Sequence, residues 1–171
     1  MSTVDEFTDE FTEANETSPS PQSAARRILI ITCMDARILP TPTAAFGLPV
    51  GSAFTVRNAG VERDSEALRS VVIAQQRLTT REIRVLHHTD CGLETFDDNV
   101  LRTQLIRNPP KPGVVIRSTV QSMSFLPFKD QRQTVRDDVA FLREHPLVLA
   151  GTVITGWIYN VQSGRIERVL D

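Results

Sequence analysis

The stretch Arg27-Ile28-Leu29-Ile30-Ile31-Thr32-Cys33 is a short apolar run, rich in β-branched side chains, that ends at a cysteine. Continuous hydrophobicity over so few residues is typical of a strand buried on both faces, as strands of parallel sheets are. Two later runs have the same form: residues 53–57 lead into Asn58-Ala59-Gly60, and residues 82–87 end at His88. We therefore predict three buried strands, each followed by polar or small residues.

A helix is predicted between the second and third strands, behind the candidate N-caps Asp64 and Ser65. The residues of its mostly apolar face recur at helical spacing: Leu68, Val71, Val72, Gln75 and Leu78. Strand, helix and strand in this order form a βαβ unit, which gives parallel strands and a right-handed crossover. The carboxyl ends of the strands then lie along one edge of the sheet, where open α/β sheets bind ligands.

The second half of the chain predicts a less regular path and then a hairpin. Residues 107–133 contain four prolines and no clear period, which indicates a long irregular connection. Val135, Val139 and Leu142 predict a helix that ends before Pro146. Residues 153–161 and 165–170 predict a terminal antiparallel hairpin. The predicted fold class is α/β, with a mostly parallel central β-sheet flanked by helices and a C-terminal antiparallel hairpin.

Length and charge narrow the class of protein. The 171 residues suit one domain, and a formal charge of −2 argues against a general nucleic-acid binder. Residues 1–25 are acidic and polar and predict an N-terminal arm, which leaves residues 26–171 as a single domain. The sequence shows no signal peptide and no apolar window long enough for a membrane span, so we expect no membrane partner and a cytoplasmic location.

Both cysteines of the chain lie in short motifs at the predicted strand ends, Cys33-Met34-Asp35-Ala36-Arg37 and His88-Thr89-Asp90-Cys91-Gly92. Cys33 follows the first strand and His88 closes the third, so both side chains can reach one point, with Cys91 in the turn behind. Two thiolates and one imidazole suit a tetrahedral Zn²⁺ that keeps one position open for water, which is typical of catalytic zinc. We predict one Zn²⁺ per chain. Taken singly, each cysteine could instead be a small buried side chain, and a redox role is disfavoured by the lack of a C-x-x-C motif.

Asp35 and Arg37 stand two and four residues beyond the first predicted ligand. Arginine does not readily lose its charge, so Arg37 could keep the Asp35 carboxylate ionised and oriented beside the metal. An ordinary ion pair is the alternative. If the pair does orient a zinc-bound water, zinc supplies hydroxide near neutral pH and Asp35 aims it at a substrate.

The two motifs resemble the signature of the β-class carbonic anhydrases, Cys-x-Asp-x-Arg followed much later by His-x-x-Cys-Gly, and Arg57-Asn58-Ala59-Gly60 is similar to another segment of that family. The resemblance implies a mostly parallel α/β fold, a homodimer or a dimer of dimers, and reversible hydration of carbon dioxide to bicarbonate and a proton by zinc-bound hydroxide. It also implies a role for each matching residue: Cys33, His88 and Cys91 as metal ligands, Asp35 and Arg37 as the catalytic dyad, and Gly92 and Phe54 as substrate contacts.

In many family members the arginine can release the aspartate, which then occupies the fourth metal position, so the resemblance also makes Asp35 a candidate switch. His87 and Asp90 depart from the plant-like pattern and fit a short microbial-type branch. Because neighbouring side chains of a strand alternate, we expect His87 to face away from His88. Two alternatives remain: a carbon disulfide or carbonyl sulfide hydrolase on the same fold, and a catalytically weak zinc-binding relative.

Overall fold

A five-stranded sheet organises the protein in the computed structural model, which describes residues 27–38, 41–49, 51–59 and 65–170. The predicted arm, residues 1–25, lies outside the described residues. The strands are β1 (Ile28–Cys33), β2 (Ala53–Asn58), β3 (Glu82–His88), β4 (Val153–Tyr159) and β5 (Ile166–Leu170). Their spatial order is β2-β1-β3-β4-β5, in which the first four are parallel and β5 is antiparallel to β4.

The register of the parallel strands brings their carboxyl ends together. Cys33, the last residue of β1, pairs with Asn58 at the end of β2. His88, the last residue of β3, pairs with Tyr159 at the end of β4. The polar residues that follow the strands in the sequence therefore meet at one edge of the sheet, as the βαβ pattern predicts.

Two long helices cover one face of the sheet. The helices of the described residues are α1 (Pro42–Ala45), α2 (Ser65–Arg77), α3 (Asp98–Arg107), α4 (Arg117–Ser122) and α5 (Gln131–Glu144). Val71 of α2 and Val139 of α5 pack with Leu29, Ile31 and Val85 in an aliphatic cluster, here called the helical face. Gly156 of β4 permits this packing, because a Cβ there would lie 2.5 Å from a methyl of Val135.

Loops and short elements cover the opposite face, here called the loop face. Ile28, Ile30 and Leu86 point to this side and pack with Cys33 and Cys91. Their neighbours in the sequence point to the helical face, because successive side chains of a strand alternate. The metal-ligating residues predicted from the sequence thus belong to the loop face.

The predicted fold class is confirmed, including the parallel sheet, the flanking helices and the terminal hairpin. The prediction for residues 107–133 was wrong in part, because Val120 is buried and anchors the short helix α4 within that connection. After Cys91 the chain forms a short 3-10 turn, Gly92–Glu94, before α3 begins at Asp98. Among the described residues, no helix is both long and apolar enough to cross a membrane.

Candidate metal centre

Three buried side chains converge at the carboxyl edge of the sheet. Cys33 ends β1, His88 ends β3 and Cys91 lies three residues beyond His88, before the 3-10 turn. Their sulfur and nitrogen donor atoms all lie within 4.8 Å of one another. The structure therefore brings together the three ligands that the sequence predicts.

The donor atoms fit a zinc ion in both chemistry and hydrogen bonding. Nδ1 of His88 lies 3.0 Å from the carbonyl oxygen of Thr89. A carbonyl can only accept, so Nδ1 carries the proton and Nε2 presents its lone pair. That Nε2 atom is buried and has no hydrogen-bond partner among the described residues. A buried acceptor without a partner is unfavourable, and a metal ion held with the two sulfur atoms would satisfy it.

The two thiols also influence each other. The Cys91 thiol can donate a hydrogen bond to Cys33, which lowers the pKa of Cys33 to about 4 although burial opposes this shift. The same contact raises the pKa of Cys91. Burial lowers the pKa of His88, but the neighbouring Cys33 and Asp35 reverse this, and the net shift is upward. Without metal the two sulfur atoms thus share one proton, which a zinc ion would replace.

Asp35 and Arg37 form a two-pronged ion pair beside the ligands. Nη2 of Arg37 lies 2.7 Å from Oδ2 of Asp35, and Nε lies 3.0 Å from Oδ1. The backbone N–H of Arg37 donates to Oδ1 as well, at 2.8 Å. These bonds hold the pKa of Asp35 well below its usual range. Oδ2 of Asp35 is 3.9 Å from Nε2 of His88, so the carboxylate faces the predicted metal position.

Two arginines hold the loops that carry the ligands. Nη2 of Arg37 also donates to the carbonyl of Asp90, at 2.8 Å, and so links the Cys33 loop to the Cys91 loop. Arg57 of β2 donates to the carbonyls of Cys33 and Asp35, at 3.1 and 2.6 Å. Charge-assisted bonds of this kind are about twice as strong as neutral ones, so the loop geometry is held from both sides.

The helix α5 contacts the end of β3 at His88 and at His87. The side-chain amide of Gln131, in its first turn, donates to the carbonyl of His88. One residue earlier, His87 points to the helical face as predicted, and its Nε2 lies 2.8 Å from Oδ2 of Asp138. Both side chains of this pair are almost fully buried. His87 is therefore a structural partner of α5 and does not join the ligand group.

A cleft of about 330 Å³ opens over the ligands. Cys33, Asp35, Cys91 and Gly92 form its polar part, and the remaining lining residues are Met34, Ala59, Leu93, Phe96 and Phe125. A Cβ at Gly92 would meet no atom within 4 Å, so glycine is not required there by packing and leaves the cleft open beside Cys91. The predicted substrate contact Gly92 is thus part of this cleft.

Phe54 does not line the cleft of its own chain. It stands on β2 beside Leu29 and packs against the helical face, where it borders a surface groove with Ile73 of α2 and with Leu78, the residue after α2. The reason is the alternation of strand side chains, which directs Phe54 away from the loop face. Its predicted substrate contact stays a prediction.

Reasoning from the sequence missed Gln131, Asp138, Phe96 and Phe125. All four lie outside the two motifs: Phe96 and Phe125 line the cleft, Gln131 donates to the carbonyl of His88, and Asp138 binds His87 on the helical face. The sequence carried a usable signal only for Asp138, an acidic residue beside Val139 on the apolar stripe of a predicted helix. Buried carboxylates are rarely without a partner, so that position pointed to a basic or histidine contact.

Comparison with known proteins places this site in a family. The family model described as "Carbonic anhydrase" matches residues 28–166. Beta-carbonic anhydrase 1 of Mycobacterium tuberculosis is 32% identical over 151 residues, which cover 88% of this chain and 86% of that protein. A carbon disulfide hydrolase of Saccharolobus solfataricus is 30% identical over 159 residues, covering 84% of this chain and 77% of that protein.

The fold comparison agrees. The crystal structure of carbonic anhydrase from Streptococcus mutans matches with a TM-score of 0.82 and 37% identity, covering 99% of this chain and 98% of that chain. A family match over residues 28–166, close structural agreement and a Cys33-His88-Cys91 group that could bind one ion all point the same way. The chain belongs to the β-class carbonic anhydrases, a family of zinc-dependent lyases.

Proposed function

We propose that the chain catalyses the reversible hydration of carbon dioxide to bicarbonate and a proton, in the cleft above Cys33, His88 and Cys91. The observation that carries the proposal is the Arg37–Asp35 pair, which aims an ionised carboxylate at the place where three metal donors meet. A purely structural zinc site has four protein ligands and needs no such carboxylate. The arrangement therefore favours catalysis over a structural role.

Zinc, when bound, supplies a nucleophilic oxygen near neutral pH, because it lowers the pKa of water towards about 7. Asp35 is the hydrogen-bond acceptor beside this oxygen. An ionised carboxylate can only accept hydrogen bonds, so Asp35 would accept a hydrogen bond from the nucleophile beside it and would orient the lone pair of that nucleophile into the cleft. Arg37 keeps Asp35 ionised and oriented by its two parallel bonds.

The remaining walls of the cleft suit an uncharged substrate. Leu93, Phe96 and Phe125 present apolar surface, and carbon dioxide loses little solvation when it leaves water for such surroundings. The N–H of Gly92 begins the 3-10 turn, where backbone donors lack partners within the turn. It can donate to a substrate oxygen. Bicarbonate is charged and poorly matched to the apolar wall, which favours its release.

The test is stopped-flow carbon dioxide hydration on protein of known zinc content, between about pH 7 and 9. We expect activity proportional to bound zinc. Asp35→Asn should retain zinc and lose kcat/KM by on the order of 100-fold, the usual contribution of a positioned acid or base group. Asp137→Asn is the matched control, because the Asp137 carboxylate binds Gln133 on α5. Full activity in Asp35→Asn would refute the dyad role.

Carbon disulfide hydrolysis is the second candidate, because the Saccharolobus relative bears that name at 30% identity and the apolar wall would admit that substrate too. Release of hydrogen sulfide from carbon disulfide or carbonyl sulfide is measured beside carbon dioxide hydration on the same preparation. Hydrogen sulfide release without carbon dioxide hydration, at full zinc occupancy, would replace the first proposal. Silence with all substrates would indicate a catalytically weak relative.

We further propose that residues 26–171 act as one domain in a homodimer or a dimer of dimers. Support comes from the outer strand of the described sheet, β2, and from the groove beside it, where Ile73 and Leu78 are exposed. Sedimentation of the zinc-loaded chain tests the assembly. The cytoplasmic location expected from the sequence stays a prediction.

A further inference from the structure

The outer wall of the cleft consists of two half-buried aromatic rings from different segments. Phe96 follows the 3-10 turn after Cys91, and Phe125 lies in the irregular segment between α4 and α5. Both rings line the cleft that also contains Cys33, Asp35 and Cys91, so a molecule bound in this cleft lies close to them.

A charged pair on α3 holds Phe125 in place. Asp98 and Arg102 are one helical turn apart, and their side chains form an ion pair of 2.8 Å. The other carboxylate oxygen of Asp98 accepts the backbone N–H of Phe125, at 3.3 Å. The guanidinium of Arg102 lies 5.4 Å from the centre of the Phe125 ring, within cation–π range. It also donates to the carbonyl of Val120 in α4.

The same segment is fastened to the turn that carries the site. The N–H of Phe128 donates to the carbonyl of Leu93, at 3.3 Å. The Lys129 ammonium donates to the carbonyls of Glu94 and Phe96, at 3.2 and 3.0 Å. The positions of both rings are therefore set relative to Cys91 by bonds to the backbone of the other segment.

The backbone beside Phe125 is in an unfavourable conformation that the surrounding contacts enforce. Leu126, next to Phe125, has φ +53°, a left-handed conformation that is unfavourable for a residue with a Cβ. Such a conformation persists only where the surroundings enforce it, and it occurs preferentially at functional sites. Here the enforcing contacts are the bonds of Asp98 and Lys129 on either side.

We propose that the Asp98–Arg102 pair is a latch that holds Phe125 as a size filter over the metal centre. The filter admits small linear molecules and excludes bulkier ones. Phe125 is then a specificity-determining residue, and Asp98 and Arg102 are positioning residues that act through it. The inference rests on the proposed function for the identity of the substrate, but the filter itself is a property of the cleft.

The first experiment compares two zinc-binding anions on the zinc-loaded chain by calorimetry: azide, which is linear and has three atoms, and benzenesulfonamide, which is bulky. We expect Phe125→Ala to tighten benzenesulfonamide about tenfold and to leave azide within about threefold, the scale on which a pocket distinguishes ligands by one missing group. Arg102→Met should act in the same direction, with partial rescue by Arg102→Lys. Arg107→Met, at the other end of α3, is the matched control.

The second experiment needs neither zinc nor turnover. Cys33 and Cys91 are the two cysteines of the chain, so the labelling rate of the metal-free protein reports access to the floor of the cleft. The ratio of the rates with a bulky maleimide and with iodoacetamide should rise about tenfold in Phe125→Ala and fall in Phe125→Trp. Circular dichroism confirms that each variant is folded.

The outcomes separate the filter from the proposed reaction. A changed size ratio in a chain without carbon dioxide hydration would support the filter and reject the reaction. An unchanged ratio in both Phe125 variants would overturn the filter, whatever the activity. An equal rise with both reagents would also overturn it, because general loosening of the segment does not discriminate by size.

Discussion

Two consecutive histidines show how the two faces of one sheet differ. His87 and His88 are both buried at the end of β3. On the helical face His87 meets the carboxylate of Asp138, supplied by a long helix. On the loop face Nε2 of His88 has no hydrogen-bond partner among the described residues, and the donor atoms of His88, Cys33 and Cys91 lie within 4.8 Å of one another. The same side chain binds a carboxylate on one face and can serve as a metal donor on the other, because among the described residues only the helical face provides a partner for Nε2.

The comparison extends to what covers each face. Residues of the helical face pack against α2 and α5. The backbone N–H and C=O groups of these helices are hydrogen-bonded within each helix, so few of them need side-chain partners. The loop face is covered by turns whose carbonyls need donors, and the Arg37 and Arg57 guanidinium groups supply them. The candidate metal ligands therefore lie on the face that is covered by irregular segments, which side-chain hydrogen bonds hold in place.

Replacing His87 should have the largest effect on stability and none on metal content. In His87→Ala the buried Asp138 carboxylate loses this partner, so we expect the free energy of unfolding to fall by about 3–5 kcal/mol, the usual result of breaking a buried pair. Urea denaturation of the metal-free chain measures it, and zinc content should remain one per chain. His145→Ala, which removes the third histidine of the chain, should cost about 1 kcal/mol or less.

Replacing His88 should instead weaken zinc binding. A zinc binding free energy of about 10–16 kcal/mol shared among about four ligands assigns roughly 3 kcal/mol to each. His88→Ala should therefore weaken zinc on the order of 100-fold, measured by competition with a chelator. The division between the two faces fails if His87→Ala loses zinc to the same extent.

The sequence was sufficient for the parts of the molecule that depend on local pattern. The apolar runs predict β1, β2 and β3, and the positions of Cys33 and His88 at strand ends predict that they meet. Alternation along β3 also predicts the opposite directions of His87 and His88. Each of these conclusions needs only the period of a strand and the rule that parallel strands share an edge.

The parts that were missed depend on contacts between distant segments. Phe125 follows a proline-rich stretch, and its contacts with α3 and those of its neighbours with the turn after Cys91 place it at the cleft. Gln131 reaches the carbonyl of His88 from a helix that begins 43 residues later in the chain. Phe54 was expected to contact substrate because of a family resemblance; its strand position directs it to the helical face of its own chain, and the substrate contact stays a prediction. A motif identifies chemistry well, and it does not specify which distant side chains complete the pocket.

The smallest predicted effect concerns the proton that the two thiols share, and the helical face contains no counterpart of it among its described residues. The pKa of Cys33 is lowered to about 4, so this thiol is ionised at neutral pH before any metal binds. The pKa of Cys91 is raised, so that thiol still carries its proton and must release it to zinc. Proton release on binding means that zinc affinity increases as pH rises.

One proton released per zinc corresponds to a tenfold gain in affinity per pH unit, or about 1.4 kcal/mol. Chelator competition between roughly pH 6.5 and 8, corrected for protonation of the chelator, measures this slope. His88 has a pKa shifted upward and adds to the slope at the acidic end. His87→Ala should keep the slope, since His87 faces away from the thiols. A flat profile would mean that both thiols are already ionised without metal, and that the hydrogen bond between Cys33 and Cys91 does not form in solution.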